Sequence, residues 1–266
     1  MKKIFIIALL LLTCVFFAAC SGNTTTADQT WASTETLSFS VYDTERGAGN
    51  VPVGEATFST TTILTAEEKA SGADTKVTAV VTVDTQTTTT IFYAKVYNVL
   101  SLKRTFVDTE DASANYILEG RHKDKNFIYE TTYADNRKES GKIKVGSSNY
   151  TDFEFLYFYI RCYDPSSLPS VTVPDLATGE AVALTCSRTA TAVTVKTETE
   201  LNTTGNCYEV AINRKSTPVG SPSYVYYLSD EAFSAGEGSM IKSTRLPVKI
   251  VENNVSFVLK DYNPKK

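Results

Sequence analysis

The chain has 266 residues, a formal net charge of −4 at pH 7, 42% hydrophobic residues and one histidine, His122. Its negative charge, about −6 without the two lysines at positions 2 and 3, disfavours binding to nucleic acid or to an anionic membrane surface. A single histidine excludes every catalytic or metal site that needs two.

The N-terminus has the pattern of a bacterial lipoprotein signal. Two lysines precede an apolar run at 4–17, which is shorter than the ~20 residues that a transmembrane helix needs and suits a signal peptide. Ala18-Ala19-Cys20 then resembles a lipobox, whose cysteine receives a diacylglyceryl group and becomes the new N-terminus. We predict a signal peptide over 1–19 and lipidation of Cys20. The alternative is ordinary secretory cleavage after Ala19, which leaves a free thiol.

A small, polar segment follows the cysteine. Residues 20–34 contain the run SGNTTTADQTWA and no apolar periodicity, which is typical of a flexible tether. Two or three acyl chains hold a protein stably on a membrane. We therefore expect membrane lipid as a partner, through acylated Cys20, and a single β-rich domain over 35–266 outside the cytoplasm.

The rest of the chain alternates apolar and polar residues with a period of two. The alternating segments are rich in Val, Thr, Tyr, Phe and Ile, and turn-forming residues separate them. They lie at 37–41, 77–83, 91–98, 116–119, 127–133, 142–145, 182–186, 192–197, 208–212, 224–228, 248–251 and 255–259. This pattern predicts an all-β fold, mainly antiparallel, in the form of a curved sheet, half-barrel or open barrel.

Two polar segments between these strands are candidates for chemistry. His122 lies in a run of charged residues, which predicts a solvated turn, and its two basic neighbours disfavour the imidazolium form. The acidic segment 108–111 has the oxygen ligands of a divalent-cation site but lacks the glycine and the distal glutamate of an EF-hand loop, so we expect a solvated loop. We predict no catalytic residue, no metal and no cofactor.

One aromatic segment breaks the alternation. Thr151 and Glu154 have the spacing of a capping box, and the apolar residues that follow recur at helical spacing. We predict a central helix over about 152–162 that the sheet partly wraps, with a buried strand as the alternative. The candidate ligand-binding residues are Phe153, Leu156, Tyr157, Ile160 and Arg161. Arg161 either pairs with a carboxylate or meets an anionic headgroup.

Three cysteines remain if Cys14 leaves with the signal and Cys20 is acylated. Cys186 and Cys207 lie on second-neighbour strands if 182–186, 192–197 and 208–212 form a meander, which is too far for a disulfide. Cys162 can reach either one from the predicted helix. We expect small buried thiols.

Several segments, taken in order, resemble a family of bacterial exported proteins, the domain of unknown function 3108 family. They are Leu37–Val41, Val53–Ala56, Leu156–Arg161, Thr204–Val210, Leu228-Ser229-Asp230, Leu246–Ile250 and Val255–Tyr262. The resemblance implies a single β-rich domain in which a strongly curved antiparallel sheet partly wraps a helix. The family has no established activity, so the resemblance implies no catalytic residue.

These patterns favour a non-catalytic, lipid-anchored protein of the bacterial envelope that binds a hydrophobic ligand or a partner protein. The 15 tyrosines and 13 phenylalanines either pack the core or line an apolar cavity. One alternative is a structural or adhesive surface lipoprotein without a small-molecule site. The other is a carboxylate-dependent envelope hydrolase. A cavity larger than roughly 300 Å³ between helix and sheet favours the ligand.

Overall fold

The computed structural model describes residues 34–43, 45, 51–95, 98–146, 155–161, 171–176, 178–188, 193–194, 206–214, 224–229 and 245–265. Within these residues, fifteen strands form one sheet, and every pairing between neighbouring strands is antiparallel. The strands are β1 Thr34–Asp43, β2 Gly54–Thr61, β3 Thr75–Val83, β4 Gln86–Lys95, β5 Asn98–Asp108, β6 Tyr116–Lys123, β7 Asn126–Tyr133, β8 Lys138–Lys144, β9 Val171–Asp175, β10 Glu180–Arg188, β11 Val193–Thr194, β12 Asn206–Arg214, β13 Tyr224–Ser229, β14 Pro247–Glu252 and β15 Val255–Lys265. The helices are α1 Ala66–Ala70, a 3-10 turn Ala112–Ala114 and α2 Leu156–Arg161.

The strands follow one another around a nearly closed barrel. The first eight form a meander, the last strand pairs with the first, and β14, β13, β12, β10 and β9 continue the sheet. The two edges are β8 and β9, and β8 comes within 8 Å of β10 between Cα atoms. Four hairpin turns have Asp or Asn at positive φ, a conformation these residues adopt at low cost: Asp84, Asp124, Asn136 and Asn253.

In the sequence, helix α2 lies between β8 and β9, the two edge strands of the sheet. It is buried over its whole length. Its six residues, Leu156–Arg161, are at most 2% exposed. The predicted all-β, antiparallel, barrel-like fold around one helix is confirmed. The predicted helix limits at Asp152 and Cys162 lie outside the described residues, as does the capping box. No helix in the described part of the chain is long and apolar enough to cross a membrane.

Side chains that point into the barrel are buried more completely at one end than at the other. We call the end where β1 begins the closed end. Glu35, Thr60, Val77 and Phe92 face inward there and are at most 1% exposed. We call the opposite end, which carries the β3–β4, β5–β6 and β14–β15 turns, the open end. Several of its inward-facing residues, among them Val83, Phe106, Tyr116 and Glu252, are only half-buried.

Two details of the predicted sheet are wrong. His122 does not lie in a solvated turn, because β6 extends to Lys123 and turns the His122 ring inward, 5.0 Å from the ring of Phe127. Burial lowers the pKa of His122 to about 4, so desolvation, rather than its basic neighbours, disfavours the imidazolium.

The predicted meander around the cysteines is also wrong, because β10 pairs directly with β12. Cys186 lies opposite Ile212, five residues from Cys207, which places the two cysteines roughly 16 Å apart along the strand. Both are free thiols, as expected. Cys162 lies outside the described residues.

Candidate functional site

A cavity of about 210 Å³ lies inside the barrel, between α2 and the open end. Strands β2, β3 and β4 form one wall, β13, β14 and β15 form the facing wall, and Tyr157 of α2 closes the inner side. The lining residues are Phe58, Ala79, Val81, Thr88, Thr90, Tyr157, Tyr226, Ile250, Glu252 and Phe257. The helix therefore fills only part of the barrel.

Three aromatic rings form the inner part of this cavity. The ring of Phe58 stacks on Tyr157 with centroids 4.3 Å apart and an interplanar angle of 21°. The ring of Phe257, from the facing wall, lies 6.3 Å from Phe58. These rings connect β2, β15 and the helix, so the packing that holds α2 in place also shapes the cavity.

Polar groups lie on both walls. On β4, Thr88 and Thr90 contribute hydroxyls, and Thr90 Oγ1 accepts a hydrogen bond of 3.3 Å from Arg104 Nε. On the facing wall, burial and, to a smaller extent, the charge of Glu252 raise the pKa of Tyr226 well above its usual value. The Tyr226 hydroxyl therefore keeps its proton at neutral pH and can act as a hydrogen-bond donor.

The size of the cavity limits what it can hold. The cavity is smaller than the roughly 300 Å³ that we expected of a ligand site, which is also the lower limit for drug-sized ligands. A dry cavity of about 150 Å³ can bind benzene, so about 210 Å³ accommodates a ligand somewhat larger than one aromatic ring. The lining contains a single carboxylate, that of Glu252. Among the described residues, no group of His, Cys, Asp and Glu is arranged to hold a metal ion.

Of the five predicted ligand-binding residues, Tyr157 lines the cavity. Leu156, Ile160 and Arg161 are buried elsewhere in the core, and Phe153 lies outside the described residues, as does Cys20. The role of these residues in binding stays a prediction.

Arg161 forms a buried ion pair at the closed end. Its Nη1 and Nη2 atoms donate to the two carboxylate oxygens of Glu35 at 2.7 and 3.1 Å, and its Nε donates to the carbonyl of Arg245 at 3.0 Å. Both side chains are at most 1% exposed. Nearby, burial and the charge of Glu35 raise the pKa of Tyr262 to about 12. The expectation that Arg161 pairs with a carboxylate is thus confirmed.

The acidic segment 108–111 has a structural role in its turn. The carboxylate of Asp108 accepts hydrogen bonds from the backbone N–H groups of Glu110 and Asp111 and from the side chains of Thr85 and Gln86. The backbone bond from Glu110, followed by that from Gln86, holds the pKa of Asp108 below its usual value. Asp108 is 8% exposed and therefore buried, whereas residues 109–111 are exposed, as expected of a solvated loop.

Sequence reasoning missed most of the cavity. Phe58, Thr90 and Glu252 belong to strands that meet only across the barrel, and nothing in the local sequence of any of them marks a ligand site. The alternation identified which face of each strand points inward. The register between strands, which the alternation does not contain, decides which inward residues share the cavity.

No family model matches the chain, and no curated protein matches it. Among solved structures, the chain is similar to the crystal structure of a beta-barrel-like protein of domain of unknown function DUF1849 from Brucella abortus. The TM-score is 0.48 and the sequence identity is 8%, and the match covers 89% of this chain and 99% of that one. This likeness concerns the fold alone. The resemblance to the domain of unknown function 3108 family and the lipoprotein signal stay predictions.

Proposed function

We propose that this chain is a non-catalytic, lipid-anchored protein of the bacterial envelope that binds a small, largely apolar ligand inside its barrel. The observation that carries the binding function is the cavity beside α2, because a helix that only had to fill a core would leave no space of this size. The anchor rests on the lipobox-like sequence that ends in Cys20.

The chemistry of the lining supports a ligand rather than a packing defect. Empty cavities in proteins are apolar, whereas this one combines aromatic and aliphatic walls with Thr88, Thr90, Tyr226 and Glu252. A mostly apolar pocket with a few polar groups is the usual composition of a small-molecule site. A ligand with one ring-sized apolar body and one polar group matches both parts of the lining.

Native mass spectrometry of the full-length protein, purified from its own cell membrane, tests the binding function. We expect a co-purifying small mass for the wild type. The variant Ala79→Leu adds three carbon atoms to the cavity wall and should lose that mass. The control Val80→Leu adds one carbon atom on the outer face of the same strand and should retain it. A bare wild-type mass, or equal ligand content in both variants, contradicts the proposal.

The anchor has a separate test. We expect the wild type in the detergent-extracted membrane fraction and the variant Cys20→Ala in the soluble extracytoplasmic fraction. Mass spectrometry of the intact wild type should also show the added acyl chains. A wild type that lacks acyl chains, or a Cys20→Ala variant that stays in the membrane, contradicts lipid anchoring and leaves the binding function to its own experiment.

A further inference from the structure

Resting on the proposed function, we propose that the cavity selects organic cations: ligands with an apolar body of about one ring and a single ammonium group. The ammonium group lies beside Glu252 at the open end, and the apolar body points inward toward Tyr157. The inference deepens the proposed function by naming the charge and the orientation of the ligand.

The position of Glu252 supports this orientation. It is the last residue of β14, directly before the Asn253-Asn254 turn, and it pairs with Val255 at the start of β15. Its side chain points inward like that of Ile250 two residues earlier, and both residues line the cavity. The carboxylate is half-buried, so it attracts a cation more strongly than a fully solvated carboxylate does.

The rings deeper in the cavity favour the same class of ligand. The apolar body of the ligand meets the ring faces, whose negative potential also favours a nearby cation over an anion. Phe58, Tyr157 and Phe257 provide these rings, and the same surfaces pack well against an apolar body. An anionic ligand would meet both the carboxylate and the electron-rich ring faces, which repel it.

The charge of the open end adds long-range attraction. Acidic side chains on its described turns and strand ends include Asp43, Asp84, Asp108, Glu110, Asp111 and Asp135. The basic side chains among the described residues of the same end, Arg137, Lys138 and Arg214, each form an ion pair with a carboxylate. Because acidic side chains outnumber basic ones among the described residues of this end, they raise the local concentration of a cationic ligand at the opening.

One cation lies close to the opposite wall and sets the limit of the argument. Arg104, on β5, donates through Nε to Thr90 Oγ1, but its own side chain is not part of the lining. Arg104 pairs with the inward-facing Thr90 and therefore points into the barrel as well, so its guanidinium lies beside the cavity wall. If the charge of Arg104 dominated the site, the cavity would prefer anions, and the experiment below distinguishes the two cases.

Three probes of matched size separate the effect of charge from the effect of shape: benzylammonium, benzyl alcohol and benzoate. The affinities are measured by calorimetric titration of the full-length protein in detergent. The cavity-filled variant Ala79→Leu serves as the blank, because it reports the heat of probe that partitions into the detergent micelles. We expect benzylammonium to bind about tenfold more tightly than benzoate, with benzyl alcohol between them. Benzoate binding as tightly as benzylammonium, or more tightly, overturns the inference.

The variants Glu252→Gln and Glu55→Gln identify the group responsible. Glu252→Gln should weaken benzylammonium about fivefold and leave benzyl alcohol unchanged. Glu55→Gln removes the same charge at the same end of the barrel, but from its outer face, and should leave the order of the three probes intact. Equal weakening of all probes by Glu252→Gln overturns the cation preference. If the three probes bind without any charge preference, the cation preference is overturned but the proposed function is preserved. If no probe binds, the cation preference and the proposed function are both contradicted.

Discussion

The ion pair between Arg161 and Glu35 should be the most sensitive polar contact in the described structure. The two side chains are at most 1% exposed and form two parallel hydrogen bonds, 2.7 and 3.1 Å long. The variant Glu35→Gln keeps the size of the side chain but leaves the guanidinium without its counter-charge. Arg161 cannot release its proton, so the uncompensated charge stays buried in the closed end.

Breaking a buried pair by removing one partner costs about 3–5 kcal/mol. For a domain of this size, ~1 kcal/mol corresponds to roughly 2–4 °C in Tm, so Glu35→Gln should lower Tm by about 6–20 °C. The control is Glu55→Gln on the adjacent strand β2. Glu55 pairs with Lys260 at 3.1 Å, but the side chains are 74% and 54% exposed. Loss of an exposed pair should cost no more than about 1 kcal/mol.

Urea denaturation and thermal unfolding, both followed by circular dichroism, measure these differences. A loss for Glu35→Gln that equals the loss for Glu55→Gln would refute the argument from burial. The reciprocal variant Arg161→Met gives a second check, because it leaves the Glu35 carboxylate buried without its counter-charge. It should also lower Tm by more than Glu55→Gln does.

Three further predictions rest on other parts of the barrel. His122 is the only histidine in the chain, so its ring signals in the NMR spectrum are easily assigned. They should titrate with a midpoint near pH 4, and the contribution of His122 to stability should be lost as the pH falls from about 6.5 toward 4. A midpoint near 6.5 contradicts its burial. Two hydrogen bonds, the stronger effect coming from Lys76 and the weaker from the Thr65 backbone, lower the pKa of Glu68 to about 2. The Tm difference between wild type and Glu68→Gln should therefore narrow as the pH falls from about 4.5 toward 2. A Tm difference that is independent of pH refutes this. A Cβ at Gly120 would lie 2.2 Å from the Phe127 ring. Gly120→Ala should therefore lower the free energy of unfolding, measured by urea denaturation, by about 1–3 kcal/mol. An unchanged urea midpoint would show that the ring does not cover the glycine.

Local patterns predicted most of the strands and missed β2, β5 and β9. The alternation located β1, β3 and β7, because one face of each strand is buried and the other is not. In β5, a bulge interrupts the pairing with β4. Tyr93 of β4 pairs with Ser101, but the next residue, Ala94, pairs with Val99. A bulge moves inward-facing residues out of the period of two, so the signal is lost even though the strand is continuous.

His122 shows how charge can conceal a strand. Leu118, Gly120 and His122 follow the period of two and face inward together. Their neighbours Arg121 and Lys123 are exposed and charged, so the segment reads as a turn if composition alone is considered. The position of these three residues at every second place in the sequence was the signal that indicated a strand. The small helix α1 had a signal too, since Thr65 and Glu68 have capping-box spacing and form both hydrogen bonds of the box.

The contacts that fix the position of α2 are the ones that a single sequence does not reveal. Arg161 meets Glu35 from 126 positions away and the carbonyl of Arg245 from 84 positions away. Nothing in the local sequence around any of the three indicates the other two. The aromatic run predicted a buried helix, but the partner that holds its last residue depends on which strands close the barrel.

These contacts place stability and binding at opposite ends of the barrel. At the closed end, Arg161 joins α2, the first strand and the segment before β14, so one side chain holds together parts of the chain that lie far apart in sequence. Toward the open end, the cavity lies between the two walls of the barrel and Tyr157. Glu35→Gln should therefore reduce stability while sparing the order in which the three probes bind, and Glu252→Gln should change that order with little loss of stability. If both substitutions altered both properties, the two ends would be coupled through α2, and the cavity would have to be treated as part of the core.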